Sequence, residues 1–189
     1  MVLIQTLMAL FFINGDVQQT NIEAINGLNL RTYLGEVPNL EVAEDEMFLF
    51  IFLNPDCPIS QKYGIKIREL SQLDGVKLIG VQANPGVSTD QIVAYMNEYG
   101  YTFPILNDEH QAIVHLYHAS ITPEVFLTDS SGEVLYSGAI DNWFVALGKY
   151  RREATEHYLL DAINQYKNQG FVTLNKTKAV GCLIESHSH

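Results

Sequence analysis

The stretch Met47-Phe48-Leu49-Phe50-Ile51-Phe52-Leu53, followed at once by Asn54-Pro55-Asp56-Cys57-Pro58, decides how this chain is read. Seven apolar residues stand in a row, with acidic residues before them and turn-forming residues after, and no period-two alternation is visible. A strand of that kind is buried on both faces, so helices must cover both sides of its sheet. Pro58 suits the first position of a helix, where its missing N–H leaves no hydrogen bond unmade. Cys57 is therefore set between a buried strand and a helix start. Unpaired backbone N–H groups and the positive end of the helix dipole meet there, and both favour thiolate over thiol. Such surroundings bring a cysteine from about 8.5 down to roughly 3.5–7.5.

Working outward, Ile59, Tyr63, Ile67, Leu70 and Leu73 share one face at helical spacing and predict one helix after Pro58. Lys66 interrupts that stripe, as a side chain that snorkels past its edge or that faces an anion. Val76–Gln82 is a second strand, and Ser88 with Gln91 is a capping box opening another helix. Phe103–Leu106 is a short apolar run. Asp108 and Gln111 repeat the capping pattern ahead of a short helix. Pro123–Asp129, the turn Ser130-Ser131-Gly132 and Glu133–Gly138 read as a hairpin. The segment Arg151–Lys167 carries Ala154, Tyr158, Ala162 or Ile163, and Tyr166 at helical spacing, with Gly170 as its stop. Alternating strands and helices with short links mean an α/β sheet rather than a helical bundle.

The chain of 189 residues fits one domain with material to spare at its ends. With 47% hydrophobic and 17% charged residues it can bury a core. Eleven basic against 22 acidic residues give a net charge of −11, which repels phosphate backbones and excludes a nucleic-acid partner. Residues 1–15 are apolar enough for an export signal, yet lack a basic start and an Ala-x-Ala box, so an N-terminal strand or helix is the competing reading. Too short to cross a bilayer comfortably, the segment predicts no stable membrane insertion. The domain itself is expected at 16–170, with an irregular or strand-containing lead-in to residue 46, and 171–189 as an unpatterned tail. Cys57 and Cys182 are the only cysteines, which is neither a disulfide scaffold nor a Cys-x-x-Cys zinc site.

Four ordered motifs carry a resemblance: Asp56-Cys57-Pro58-Ile59, Thr122-Pro123-Glu124-Val125-Phe126, Gly138-Ala139-Ile140-Asp141 and Gly181-Cys182-Leu183-Ile184. Together they resemble the thioredoxin-like superfamily, within it bacterial redoxin-domain proteins related to peroxiredoxins and thiol-disulfide oxidoreductases. The resemblance implies an α/β thioredoxin-like fold: a central mixed sheet flanked by helices, an inserted short β-α segment and a C-terminal extension. It implies that Pro123 is a cis-proline beside the reactive cysteine, with Thr122 free to hydrogen-bond an extended substrate or disulfide partner. Because such proteins are often secreted, an extracytoplasmic address is expected, a cytoplasmic one being the alternative. Three positions depart from the pattern. Ser60 stands where thioredoxin-type reductases have a second cysteine, Asn54 where peroxiredoxins have Thr or Ser, and Ala139 where the redoxin group usually has Arg.

The expected site is therefore Cys57, Pro58, Thr122, Pro123 and Cys182. Cys57 would attack a disulfide or a hydroperoxide, from a thiol or disulfide protein or a small peroxide, and needs no cofactor. Asp56 would oppose the thiolate if aimed at it, and Lys62 or Lys66 would offset that charge. Cys182 is either a resolving or structural partner of Cys57, or a free or metal-directed thiol near His187 and His189. The second reading makes the chain a non-enzymatic copper or partner-binding module on the same scaffold. His110, His115, His118 and His157 read as surface or core residues. Glu124 and Asp141 relay a proton or order a loop, and Tyr63 and Trp143 are groove or core aromatics.

Overall fold

The structure is a computed structural model and describes residues 19–185; the 1–15 segment, His187 and His189 lie outside that range. Helix α1 (Asn21–Gly27) opens it, where the sequence reading had only an irregular or strand-containing lead-in. Its signal was present as a reciprocal cap: the Thr20 hydroxyl accepts from the Glu23 N–H, and the Glu23 carboxylate accepts from the Thr20 N–H. Strand β1 (Met47–Phe52) follows. Then come helices α2 (Pro58–Lys62) and α3 (Gly64–Leu70), strand β2 (Val76–Gln82), helix α4 (Thr89–Tyr99), strand β3 (Ile105–Asn107) and helix α5 (Ala112–Tyr117). The second half holds β4 (Ile121–Thr122), β5 (Glu124–Thr128), β6 (Val134–Gly138), β7 (Phe144–Ala146), β8 (Lys149–Tyr150), α6 (Tyr158–Gln169) and β9 (Cys182–Leu183).

Five strands form the central mixed sheet in the order β3-β2-β1-β5-β6. β1 runs parallel to β2 and antiparallel to β5, so it is the middle strand, as its unbroken apolar run demands. Alternation does exist there, hidden because both faces are dry. Met47, Leu49, Ile51 and Leu53 pack with the residues of α2, α3, α4 and α6, while Phe48, Phe50 and Phe52 pack with α1 and α5. Each such side chain, fully buried, contributes about 1.5–3 kcal/mol.

Three expectations need correction. The single helix after Pro58 is two, interrupted at Tyr63, whose ψ of −4° leaves the regular helical path. At that join the Tyr99 ring presses so close to Gly64 that a Cβ would lie 2.1 Å from it. Asp108 does cap α5, but Gln111 is not its capping-box partner: Gln111 is itself the N-cap, in left-handed backbone, and Asp108 Oδ2 accepts from the Ile113 and Val114 N–H groups. The helix read over Arg151–Lys167 begins only at Tyr158, because Asn142 Oδ1 captures the Thr155 and Glu156 N–H groups and holds that approach open. The capping box of Ser88 and Gln91 stands as read.

Candidate active site around Cys57

Cys57 is the N-cap of α2 and Pro58 its first residue, as the sequence reading required. Pro58 is exposed, but Cys57 is wholly buried. The Thr122–Pro123 peptide bond is cis, and the Cys57 thiol donates to the Thr122 carbonyl at 3.0 Å. Strand β9 lies antiparallel to β4, with Thr122 opposite Cys182, so the residue whose carbonyl accepts from Cys57 also pairs with the strand that carries the second cysteine. Thr122 is therefore not a free edge: its backbone already pairs with the chain's own tail, and Gly181 sits where a Cβ would lie 2.0 Å from the Thr122 carbonyl oxygen. Both cysteines are free thiols.

The tail, unpatterned in sequence, is held in place. Ile184 N–H donates to the Ser120 carbonyl at 2.9 Å, Asn84 Nδ2 to the Leu183 carbonyl at 3.4 Å, and Gln111 Nε2 to the Glu185 carbonyl at 2.6 Å. No apolar periodicity signals this, because the tail is read by backbone pairing and by two amides from distant loops. Glu124 orders the same corner, accepting from the Ser120 and Ile121 N–H groups.

Two forces act on Cys57. Burial of the sulfur raises its proton affinity. Against that stand the Cys182 thiol, the Ser60 N–H and hydroxyl, and the Cys182 N–H, and together they hold Cys57 below the ordinary thiol value. A helix of five residues adds little dipole, so these individual donors, rather than the macrodipole, favour the thiolate. Cys182 responds oppositely: its burial, then its bond to Cys57 and the Cys57 charge, push it up to about 12. Ser60 is the residue the sequence reading undervalued. The sequence shows only a missing cysteine there, but the buried Ser60 hydroxyl, without a hydrogen-bond partner among the described residues, is one of the groups that lower the Cys57 thiol.

The lysines are occupied elsewhere. Lys62 lies 4.9 Å from the Tyr150 ring centroid, and Lys66 is paired with Asp141. Asp141 is buried and also accepts from the Tyr63 hydroxyl at 2.5 Å and the Trp143 N–H at 2.9 Å, so it orders the loop after β6. Burial, reinforced by Asp141, raises the Tyr63 phenol and keeps it a neutral donor. Tyr63 is core and Trp143 half-buried, while Asp56, His110, His115, His118 and His157 are exposed. Among the described residues no three His, Cys, Asp or Glu side chains gather as a metal site.

No curated protein matches the chain. Solved structures do. An uncharacterized conserved protein from Geobacillus kaustophilus superposes with a TM-score of 0.71 at 21% identity, covering 85% of this chain and 89% of that one. A hypothetical protein from Sinorhizobium meliloti 1021 gives 0.70 at 21%, covering 85% and 91%. The N-terminal domain of PilB from Neisseria gonorrhoeae gives 0.55 at 15%, covering 77% and 91%. These likenesses establish the fold alone. The AhpC/TSA family model matches residues 24–137, more than half of the chain, so the protein belongs to the AhpC/TSA family, within the thioredoxin-like redoxins related to peroxiredoxins and thiol-disulfide oxidoreductases.

Proposed function

We propose that the protein is a dithiol–disulfide oxidoreductase in which Cys57 attacks and Cys182 resolves. The family's general chemistry is thiol redox chemistry. The observation that supports the finer reading is the antiparallel pairing of Thr122 with Cys182, on the residue whose carbonyl accepts from Cys57, with the two thiols shifted in opposite directions.

In the first step the Cys57 thiolate forms a bond to one sulfur of a substrate disulfide and expels the other as a thiolate. In the second, Cys182 loses its proton to solvent and attacks Cys57, releasing the remaining substrate sulfur and closing a Cys57–Cys182 bond. The substrate gains two electrons and the protein dithiol loses them. The order of events is built into the charges. While Cys57 is anionic it holds the Cys182 proton on; once Cys57 is in a mixed disulfide that charge is gone, and only burial restrains Cys182. Because Cys57 is buried beneath β9, the substrate enters as the tail shifts.

Family membership favours a second oxidant class, hydroperoxides. There the thiolate takes the distal oxygen as sulfenic acid and expels an alkoxide, which takes a proton from solvent to leave as an alcohol; Cys182 then condenses with the sulfenic acid and water leaves. Disulfides rank first because Lys62 and Lys66 are engaged elsewhere and position 139 is alanine, so none of these positions supplies a cation to polarise an O–O bond. An extracytoplasmic address belongs to this reading, resting on the apolar 1–15 segment, and fractionation of cells expressing the full chain tests it.

The deciding experiment is stopped-flow oxidation of the reduced protein by a model disulfide and by a hydroperoxide, with mass analysis of products. Second-order oxidation by either, ending in a Cys57–Cys182 bridge and lost in Cys57→Ser, supports the proposal. Equal rates for wild type and Cys57→Ser would sink it.

A further inference from the structure

Beside the thiol pair, a groove of about 520 Å³ runs between the β7–β8 hairpin and residues 178–181, and Ile121 and Gly181 form the end nearest the cysteines. Its walls are mainly apolar: Phe144, Val145 and Leu147 from the hairpin side, Ala179 and Val180 from the other. Val145 and Leu147 are 55% and 66% exposed, unusual for aliphatic side chains lining one concavity.

Of the polar side chains of this lining, Asp141, Asn142 and Tyr158 are committed. Asp141 is engaged by Lys66, the Tyr63 hydroxyl and the Trp143 N–H. Asn142 donates to the Thr155 hydroxyl and the Glu156 carboxylate and accepts from the Thr155 and Glu156 N–H groups. The Tyr158 hydroxyl donates to Glu156 at 2.6 Å. What remains is two cations, Arg151 and Lys178, neither in an ion pair among the described residues.

Arg151 is, moreover, set in place. Its N–H donates to the Trp143 carbonyl, its own carbonyl accepts from the Trp143 indole, and its guanidinium spends one N–H on the Asn142 carbonyl at 3.2 Å. The nearby carboxylate, Glu156, already accepts from Tyr158 and Asn142. On a chain of net charge −11, an apolar trough flanked by two unpaired cations is a local reversal of sign.

We propose that this groove binds a small molecule made of an apolar chain bearing one carboxylate, its chain along Val145, Leu147 and Val180 and its carboxylate between Arg151 and Lys178. A few fixed polar groups in an apolar cleft are the usual anatomy of a small-molecule site. The lining asks for an anion and offers few uncommitted polar groups to a ligand richer in donors or acceptors. Bound there, the ligand lies against Gly181, next to the resolving thiol.

The test uses the reduced full chain with no oxidant present, so that its outcome is independent of the redox reading. Decanoate, decanol and decyltrimethylammonium are titrated by calorimetry and by the fluorescence of Trp143, the chain's one tryptophan, whose ring centroid lies 5.0 Å from that of Phe144. Decanoate is expected to bind about tenfold or more tightly than either analogue. The double substitution Arg151→Gln with Lys178→Gln removes that preference, and Leu147→Asp weakens all binding, with Cys57 alkylation unchanged in both. Decanol binding as tightly as decanoate, or decanoate affinity unaltered by the double substitution, overturns the proposal. So does the absence of decanoate binding up to about 1 mM.

Discussion

Cys57 and Cys182 carry the same side chain and opposite proton affinities, and the difference comes from who donates to whom. Cys57 is buried yet faced by the Cys182 thiol and by Ser60, whereas Cys182 is raised by its own burial and by the charge it faces. The thiolate is the nucleophile, so Cys57 alkylation rises with pH and levels off above a midpoint that lies below the ordinary thiol value. Ser60→Ala removes the hydroxyl donor and is expected to move that midpoint up by about one pH unit, the scale of one hydrogen bond to a charged group. Stopped-flow alkylation across pH measures both. A midpoint unmoved by the substitution would remove Ser60 from the site. For Cys182 the prediction runs in reverse: in Cys57→Ala the facing charge is absent, so Cys182 alkylates at lower pH than in the wild type, as mass mapping of labelled peptides can report.

Among the elements, β9 matters most for access. It is two residues long, pairs only with β4, and is held further by Asn84 and Gln111. Gly181→Ala would drive a methyl into the Thr122 carbonyl and lift the strand. The expected result is loss of hydrogen-exchange protection at the Ile184 amide and at least a tenfold fall in the yield of the Cys57–Cys182 bridge, with the central sheet intact. Retained protection at Ile184 would mean that the tail tolerates the methyl and that its seat is looser than drawn. Short strands such as β4 and β9 leave almost no mark in a sequence, because two residues cannot establish a period. Longer elements did leave one: β1, β2 and α4 follow their apolar runs and caps closely.

Across the fold, a Cys57–Cys182 bond would tie the N-cap of α2 to β9, over most of the chain's length. Closing so large a loop restricts the unfolded chain far more than the folded one, in which Thr122 already contacts Cys57 and pairs with Cys182. The oxidised protein is expected to be about 2–4 kcal/mol more stable to denaturant than the reduced one. It should also run as a monomer on non-reducing gels, with a mass lower by about two hydrogens. Covalent dimers as the main product would show that the tail resolves a neighbouring chain instead.

Local sequence is enough for the central strand, the helix start that follows it, the placement of Cys57 between them, and the motif order that marks a redoxin. These are local matters: a run of apolar side chains, a proline at a first turn, a cap three residues from its partner. Folding alone sets Cys182 opposite Thr122, buries Ser60 in the first turn of α2, gives Lys66 to Asp141 and covers Thr122 with the tail. Each depends on distances between residues far apart in the chain, and such distances are set by how the sheet and its two apolar faces pack rather than by any pattern within one segment.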